Sequence, residues 1–190
     1  FGLLGMRGVG GSAVEFLLKD REENGRYESV FDMARRVDLR VVNKGTWEAL
    51  ALGGAFDSFP GMHRALLFHE ETEGKNFLEK VRRYGQGFQD QENSAQVSLF
   101  GEDTGVVIPE PELPEVPVWN AMELLKREKD VNGIYLSAHP LDTYKFEIQT
   151  FAKNKLSELE NLEAFVQGVG SRDFAVAGLI SNVSIRTTRT

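Results

Sequence analysis

The sequence predicts a mainly α-helical fold that gives way to a strand-like pattern near its end. Three observations carry this reading. Apolar residues recur at helical spacing through most of the chain, glycine-rich turns lead straight into helix starts, and β-branched residues crowd the segment after Phe174.

The elements follow in order. Ser12-Ala13-Val14-Glu15 has the form of a capping box, and Ala13, Val14, Phe16, Leu17 and Leu18 supply an apolar face behind it, out to Asn24-Gly25. A second short helix is expected from Ser29 to Val37, with Val30, Phe31, Met33, Ala34 and Val37 inward. Asn43 is the expected N-cap of a third, Lys44 to Leu52, which Gly53-Gly54 ends. Between His63 and Tyr84 a helical pattern is interrupted by Gly74. Residues 85–118 read as a flexible linker, because Pro109, Pro111, Pro114 and Pro117 favour extended backbone and the acidic groups repel one another. Helices resume at Ala121 to Val131 and Leu141 to Phe151, and Leu156, Leu159 and Leu162 mark one more. From Phe174 the pattern turns strand-like through Val176, Ile180, Val183 and Ile185.

With 41% hydrophobic and 27% charged residues, the chain has the material for folded cores. It contains no cysteine, which excludes disulfides and thiolate sites and fits a reducing cytoplasm. No apolar run reaches membrane-spanning length, so no membrane partner is expected. The chain opens on Phe1 rather than methionine and stops with its strand pattern barely begun, as a piece of a longer protein would. Its net charge of −7 is uneven. Residues 1–60 carry 8 basic and 9 acidic groups, whereas 94–163 carry 6 and 13. General attraction to nucleic acid is therefore absent, and any such contact must be local and geometric.

Arg7-Gly8-Val9-Gly10-Gly11-Ser12 is the first candidate for that contact. Glycines let a phosphate approach backbone amides closely, and a helix start adds unpaired N–H groups at the positive end of its dipole. No Gly-Lys-Ser/Thr follows, which disfavours a nucleotide P-loop. A helix-hairpin-helix element fits the residues better, while a plain tight turn between helices fits the spacing equally well. Arg40-Val41-Val42-Asn43-Lys44-Gly45 forms a second, weaker unit with Asn43 and Lys44 at a helix start. Contacts of this kind position a protein on a backbone without reading sequence.

Gln96-Val97-Ser98-Leu99-Phe100 is the second candidate: an amide, then two large apolar residues isolated in polar surroundings. A core strand would need a longer alternating pattern, so a docking peptide is the better reading. His63, His69 and His139 share no metal-ligand spacing, and His139 before Pro140 reads as a buttress of the next turn. No nucleophile, acid/base pair or metal cluster stands out.

Together these residues resemble the C-terminal half of the alpha subunits of bacterial replicative DNA polymerase III, the C-family polymerases. Phe1-Gly2-Leu3 with Met6 to Gly10 is similar to the family's first helix-hairpin-helix, and Val42-Asn43-Lys44 through Asp57 to its second. Gln96 to Phe100 resembles its sliding-clamp motif. Gly133-Ile134-Tyr135-Leu136-Ser137-Ala138-His139-Pro140-Leu141-Asp142 resembles the block before its OB-fold, and Val176 to Ile180 that fold's first strand.

The resemblance implies a tandem helix-hairpin-helix DNA-binding domain at 1–60, a helical extension at 61–84 and a linker at 85–118 carrying the clamp motif 96–100. A helical connector at 119–170 and the start of a truncated OB-fold at 171–190 would follow. It implies duplex DNA held through phosphates by Arg7, Gly8, Val9, Gly10, Gly11, Ser12, Asn43 and Lys44. The clamp (beta subunit) would take Gln96, Val97, Ser98, Leu99 and Phe100, and other replicase subunits are further partners, all in the cytoplasm. The whole polymerase would use Mg²⁺, while its catalytic aspartates lie upstream, so this chain would carry no catalytic residue and no cofactor of its own. Gly45 stands where the family often has a second basic residue, which weakens the second grip. Two competing readings are a helix-hairpin-helix module of a repair or recombination protein and a protein-interaction scaffold.

Overall fold

The fold was obtained as a computed structural model, which describes residues 2–72, 74–97, 108–155, 157, 173–180 and 182–187. They form a mainly helical structure in two units, Phe1–Leu136 and Ser137–Thr190.

The first unit opens with a 3₁₀ turn, Leu3–Gly5, and continues into α1 (Gly11–Asn24). The expected Ser12–Glu15 capping box is not formed. The helix begins before Ser12, its N-cap is Gly10, and no side chain caps it. α2 (Val30–Arg36) starts where Ser29 Oγ accepts from the Asp32 amide at 3.0 Å. α3 (Lys44–Leu52) is capped by Asn43, as its sequence predicts. The helical pattern expected between His63 and Tyr84 divides into α4 (Arg64–Leu67), a small antiparallel hairpin and the start of α5 (Phe77–Val97). In the hairpin, β1 (Glu70–Thr72) pairs with β2 (Lys75–Asn76), and Gly74 supplies a positive φ in the turn. α6 (Ala121–Asn132) is capped by Asn120 and ends at Gly133 in the left-handed conformation.

One core runs through this unit. Val30, Val37, Val42, Trp47, Phe77 and Val81 have no exposed surface. Burying each such side chain contributes roughly 1.5–3 kcal/mol. Phe31 sits among them, edge-to-face with Phe77 at 6.3 Å and Tyr84 at 5.6 Å. Residues 1–60 and 61–84 thus share a core rather than dividing at 60.

The linker expected from residue 85 needs correction as well. Residues 85–97 continue α5, and two polar or small residues in that stretch are packing residues. Gly85 lies where α5 crosses α2 so closely that a Cβ would stand 2.2 Å from the Ala34 carbonyl oxygen. Gln89 Nε2 donates to the carbonyls of Ala34, Arg35 and Val37 at 3.2, 3.1 and 2.8 Å, closing the end of α2. Residues 108–120 then run extended across the same unit. Ile108 packs on the core, Arg35 holds Glu110 at 2.6 Å, and Trp119 lies between the Phe68 ring at 5.8 Å and the Arg127 guanidinium at 4.0 Å. The prolines keep this strap extended, but its apolar residues give it a seat.

In the second unit, Pro140–Tyr144 is a 3₁₀ turn followed by α7 (Lys145–Phe151). His139 buttresses that turn. Its Nδ1 accepts from the Leu141 amide at 3.1 Å, while Asp142 Oδ2 accepts from the His139 amide at 2.8 Å. The helix expected at Leu156, Leu159 and Leu162 lies outside the described residues. Residues 173–180 and 182–187 form no strand. A strand needs a partner ladder for its N–H and C=O groups, and among the described residues Ala175 bonds only to Asn154, a loop residue. The strand-like pattern is therefore present in the sequence without pairing among the described residues.

Candidate nucleic-acid interface

The two turns foreseen in the sequence, one led by glycine and one by Asn43, meet in one place. Gly8, Val9, Gly10, Ser12 and Ala13 from the first, with Val41, Asn43 and Thr46 from the second, line a shallow cleft of about 380 Å³. Gly8 is held at φ +90°, which a side-chain-bearing residue rarely adopts, and a Cβ there would meet Ala49 Cβ at 3.5 Å. Thr46 joins the turns: its Oγ1 donates to the Gly8 carbonyl at 3.2 Å, and the residue is buried.

At the first turn the backbone is open. The helix ladder begins only with Val14, whose amide donates to the Gly10 carbonyl at 3.2 Å. Among the described residues nothing accepts from the amides of Gly11, Ser12 and Ala13. Three N–H groups at a helix start, with the dipole behind them, make a small concentrated positive field. No acidic residue stands in that turn of α1; Glu15 comes after it. No side-chain atom lies within 4 Å of where a Cβ on Gly10 or Gly11 would sit, so an anion has room to approach.

The second turn is closed by comparison. Asn43 Oδ1 accepts from the Thr46 amide at 3.1 Å. Lys44 points away along the surface, its Nζ 2.6 Å from Glu79 Oε1 of α5 and 3.8 Å from Glu48. The Glu79 hydrogen bond raises the Lys44 pKa, and Lys44 in turn lowers that of Glu79.

Arg7 is tied to α6. Its amide donates to the Val131 carbonyl at 2.8 Å and its guanidinium reaches the Asp130 carbonyl at 3.4 Å, the negative end of that helix. Sequence reasoning missed what holds α6 there. Arg64, 6% exposed, pairs with the fully buried Glu128 at 3.0 Å and with Asp57 at 2.9 Å, and also donates to the Leu52 carbonyl. Glu128 accepts from the Leu136 amide too. Nothing about an Arg beside His63, or a Glu inside Lys126-Arg127-Glu128-Lys129, marks either as buried.

Of the residues expected to bind a clamp, Gln96 and Val97 continue the backbone of α5, and Ser98, Leu99 and Phe100 lie outside the described residues. No group of three or more His, Asp or Glu side chains that could hold a metal occurs among the described residues. No helix among them is long and apolar enough to cross a membrane.

Residues 1–67 match the helix-hairpin-helix motif family. Over nearly the whole chain, the sequence is similar to proteins named DNA polymerase III subunit alpha. The Pseudomonas aeruginosa relative is 34% identical over 199 residues, covering 97% of this chain and 16% of the relative. That of Borreliella burgdorferi is 32% identical, with 100% and 15% covered, and that of Vibrio cholerae 30%, again with 100% and 15%. The chain thus spans about 15% of the length of these relatives. By this agreement across its length, the chain belongs to the DNA polymerase III subunit alpha family.

Proposed function

We propose that residues 1–67 hold duplex DNA by its phosphates within a replicative polymerase in the cytoplasm. The observation that carries this is the cleft where the uncapped start of α1 meets the second hairpin. The amides of Gly11, Ser12 and Ala13 are the donors for one phosphate, with Gly8, Val9 and Gly10 shaping the approach. Asn43 acts by holding the second turn in place, Arg7 adds charge beside the first turn, and Lys44, directed along the surface toward α5, adds charge beyond the cleft. Such contacts carry no sequence information, which suits a protein that moves along any template.

Gly11→Pro tests the reading with little cost to the fold. Proline is favoured at the first position of a helix, and the extended Gly10 before it is compatible with proline. The variant loses one amide and keeps its helix. Its thermal melting should match the parent, while its affinity for duplex at low salt falls severalfold. Unchanged affinity would remove the α1 start from the interface.

The same reading gives Gln96–Phe100 the role of a tether to the sliding clamp, with Gln96 at the pocket rim and Leu99 and Phe100 in its apolar floor. A single peptide of this size reaches about micromolar affinity, on the order of −8 kcal/mol. A clamp encircling the same DNA would raise the effective concentration and supply the remainder. Replacing Leu99 and Phe100 together by alanine should abolish clamp binding; retained binding would move the tether elsewhere. The OB-fold expected to start near Phe174 would complete the set as a single-strand binder.

A further inference from the structure

Beside the second hairpin, α5 presents a group of cations that the helix-hairpin-helix motif does not include. Glu79, Arg82 and Arg83 fall at positions i, i+3 and i+4, so they share one face of α5. Lys44 reaches this face from the start of α3, directly after the cleft residue Asn43, and its Nζ lies 2.6 Å from Glu79. Glu79 therefore faces three cations, Lys44, Arg82 and Arg83, and Lys44 faces one more acid, Glu48 at 3.8 Å. Arg83 is exposed and makes no hydrogen bond or ion pair with any described residue. In a chain of net charge −7, three cations facing two carboxylates around Glu79 are a local exception.

We infer that Lys44, Arg82 and Arg83 form a second phosphate site that continues the duplex path from the cleft onto α5, with Glu79 as the internal stand-in for phosphate. Lys44 and Glu79 are close enough for full hydrogen bonding, and with Lys44 exposed and Glu79 partly exposed the pair lies within reach of solvent and can exchange. A backbone phosphate arriving along the groove brings the same acceptor chemistry as the Glu79 carboxylate and takes over Lys44, while Arg83 has no internal bond to give up. Glu79 then acts as a competitor that keeps the site weak until DNA is present. This inference rests on the hairpin reading only in taking duplex as the ligand.

The experiment measures binding of the 190-residue chain to a fluorescent duplex of about two helical turns, by anisotropy over a series of salt concentrations. Removing one cation–phosphate pairing should flatten the plot of log affinity against log salt by about 0.9. Arg83→Gln, an exposed change, should weaken binding severalfold and flatten the slope by that amount with unaltered melting. Glu79→Gln should strengthen binding severalfold. If Arg83→Gln leaves affinity and slope unchanged while Gly11→Pro weakens binding, the α5 site is overturned and the hairpin reading stands. If Arg83→Gln weakens binding and Gly11→Pro does not, the α5 site stands without the hairpin. A parent chain with no affinity for duplex at low salt overturns both.

Discussion

The two turns of the hairpin pair look alike in sequence and differ in structure. Both place a short polar or glycine residue at a helix start, in extended backbone, with no acidic residue in the first helical turn. Asn43 commits its side chain to the Thr46 amide, so α3 begins internally satisfied. Gly10 has no side chain to commit, so α1 begins open. A helix start becomes an anion site by what its cap leaves undone. The turns also differ in their support: the first is fastened to α6 through Arg7, the second to α5 through Lys44.

The largest effect should come from breaking the first turn's support. Glu128 is fully buried beside Arg64, and α6 carries the carbonyls that receive Arg7. Removing Glu128 takes the buried one of Arg64's two carboxylate partners away, and breaking a buried pair costs about 3 kcal/mol or more. Glu128→Ala should lower stability by that amount in urea unfolding, with duplex binding lost before the fold is. A variant within ~0.5 kcal/mol of the parent, the ordinary range of a surface change, would show that Asp57 alone suffices for Arg64.

Next comes closing the open turn. Gly10 has φ −85° and ψ 156°, and no side-chain atom stands near its Cβ position. Gly10→Asp would cap α1, adding about half a kcal/mol of stability, as a better cap and dipole partner do. The same carboxylate would occupy the amides and repel phosphate. Duplex affinity should fall on the order of tenfold, equivalent to about 1.4 kcal/mol. Stability and binding therefore move in opposite directions; a parallel change in both would contradict the open-amide account.

The mirror-image change opens the closed turn. Asn43→Ala removes a side-chain cap and should cost about 1 kcal/mol in thermal or urea melting. Duplex affinity of the folded variant should stay within about twofold, because Asn43 serves its own helix. A tenfold loss of affinity would give Asn43 a direct contact.

How much of this was legible follows from the kind of signal each element leaves. The helix of Lys44 to Leu52 was readable because its cap and its stop are local residues, Asn43 and Gly53. The turn at Gly8 was readable because few residues but glycine hold φ +90°. The continuation of α5 past Tyr84 was not. Gly85-Gln86-Gly87 looks like a break, and Gly85 is instead required by the approach of Ala34 on α2, a neighbour far away in the chain. The Arg64–Glu128 pair was hidden for the same reason: burial of a charge is decided by its partner, 64 residues away. The strand pattern after Phe174 has a local signal in its β-branched residues, and among the described residues it forms no strand, because a strand also needs a partner.

The smallest expected effect separates the turns by pH. Lys44 holds the Glu79 carboxyl below its ordinary value, so the contribution of Glu79 is complete above the usual carboxylate range and is lost as pH falls through the depressed value. Glu79 raises Lys44, whose contribution is complete below the usual lysine range and is lost as pH climbs through the raised value. The pair is therefore at full strength between roughly pH 5 and pH 10. Lys44 is exposed and Glu79 partly exposed, so the pair's contribution is slight and fades with salt. Comparing melting temperatures of the parent and Glu79→Gln should give a small constant gap across that window, closing below about pH 4. A gap that persists unchanged at about pH 3 would mean Glu79 stabilises by packing rather than charge. The first turn has no such pair in its cap: Gly11→Ala alters no titrating group, so its gap from the parent should be flat throughout. The closed turn should thus carry a pH signature and the open turn none, a difference that would be visible without any DNA present.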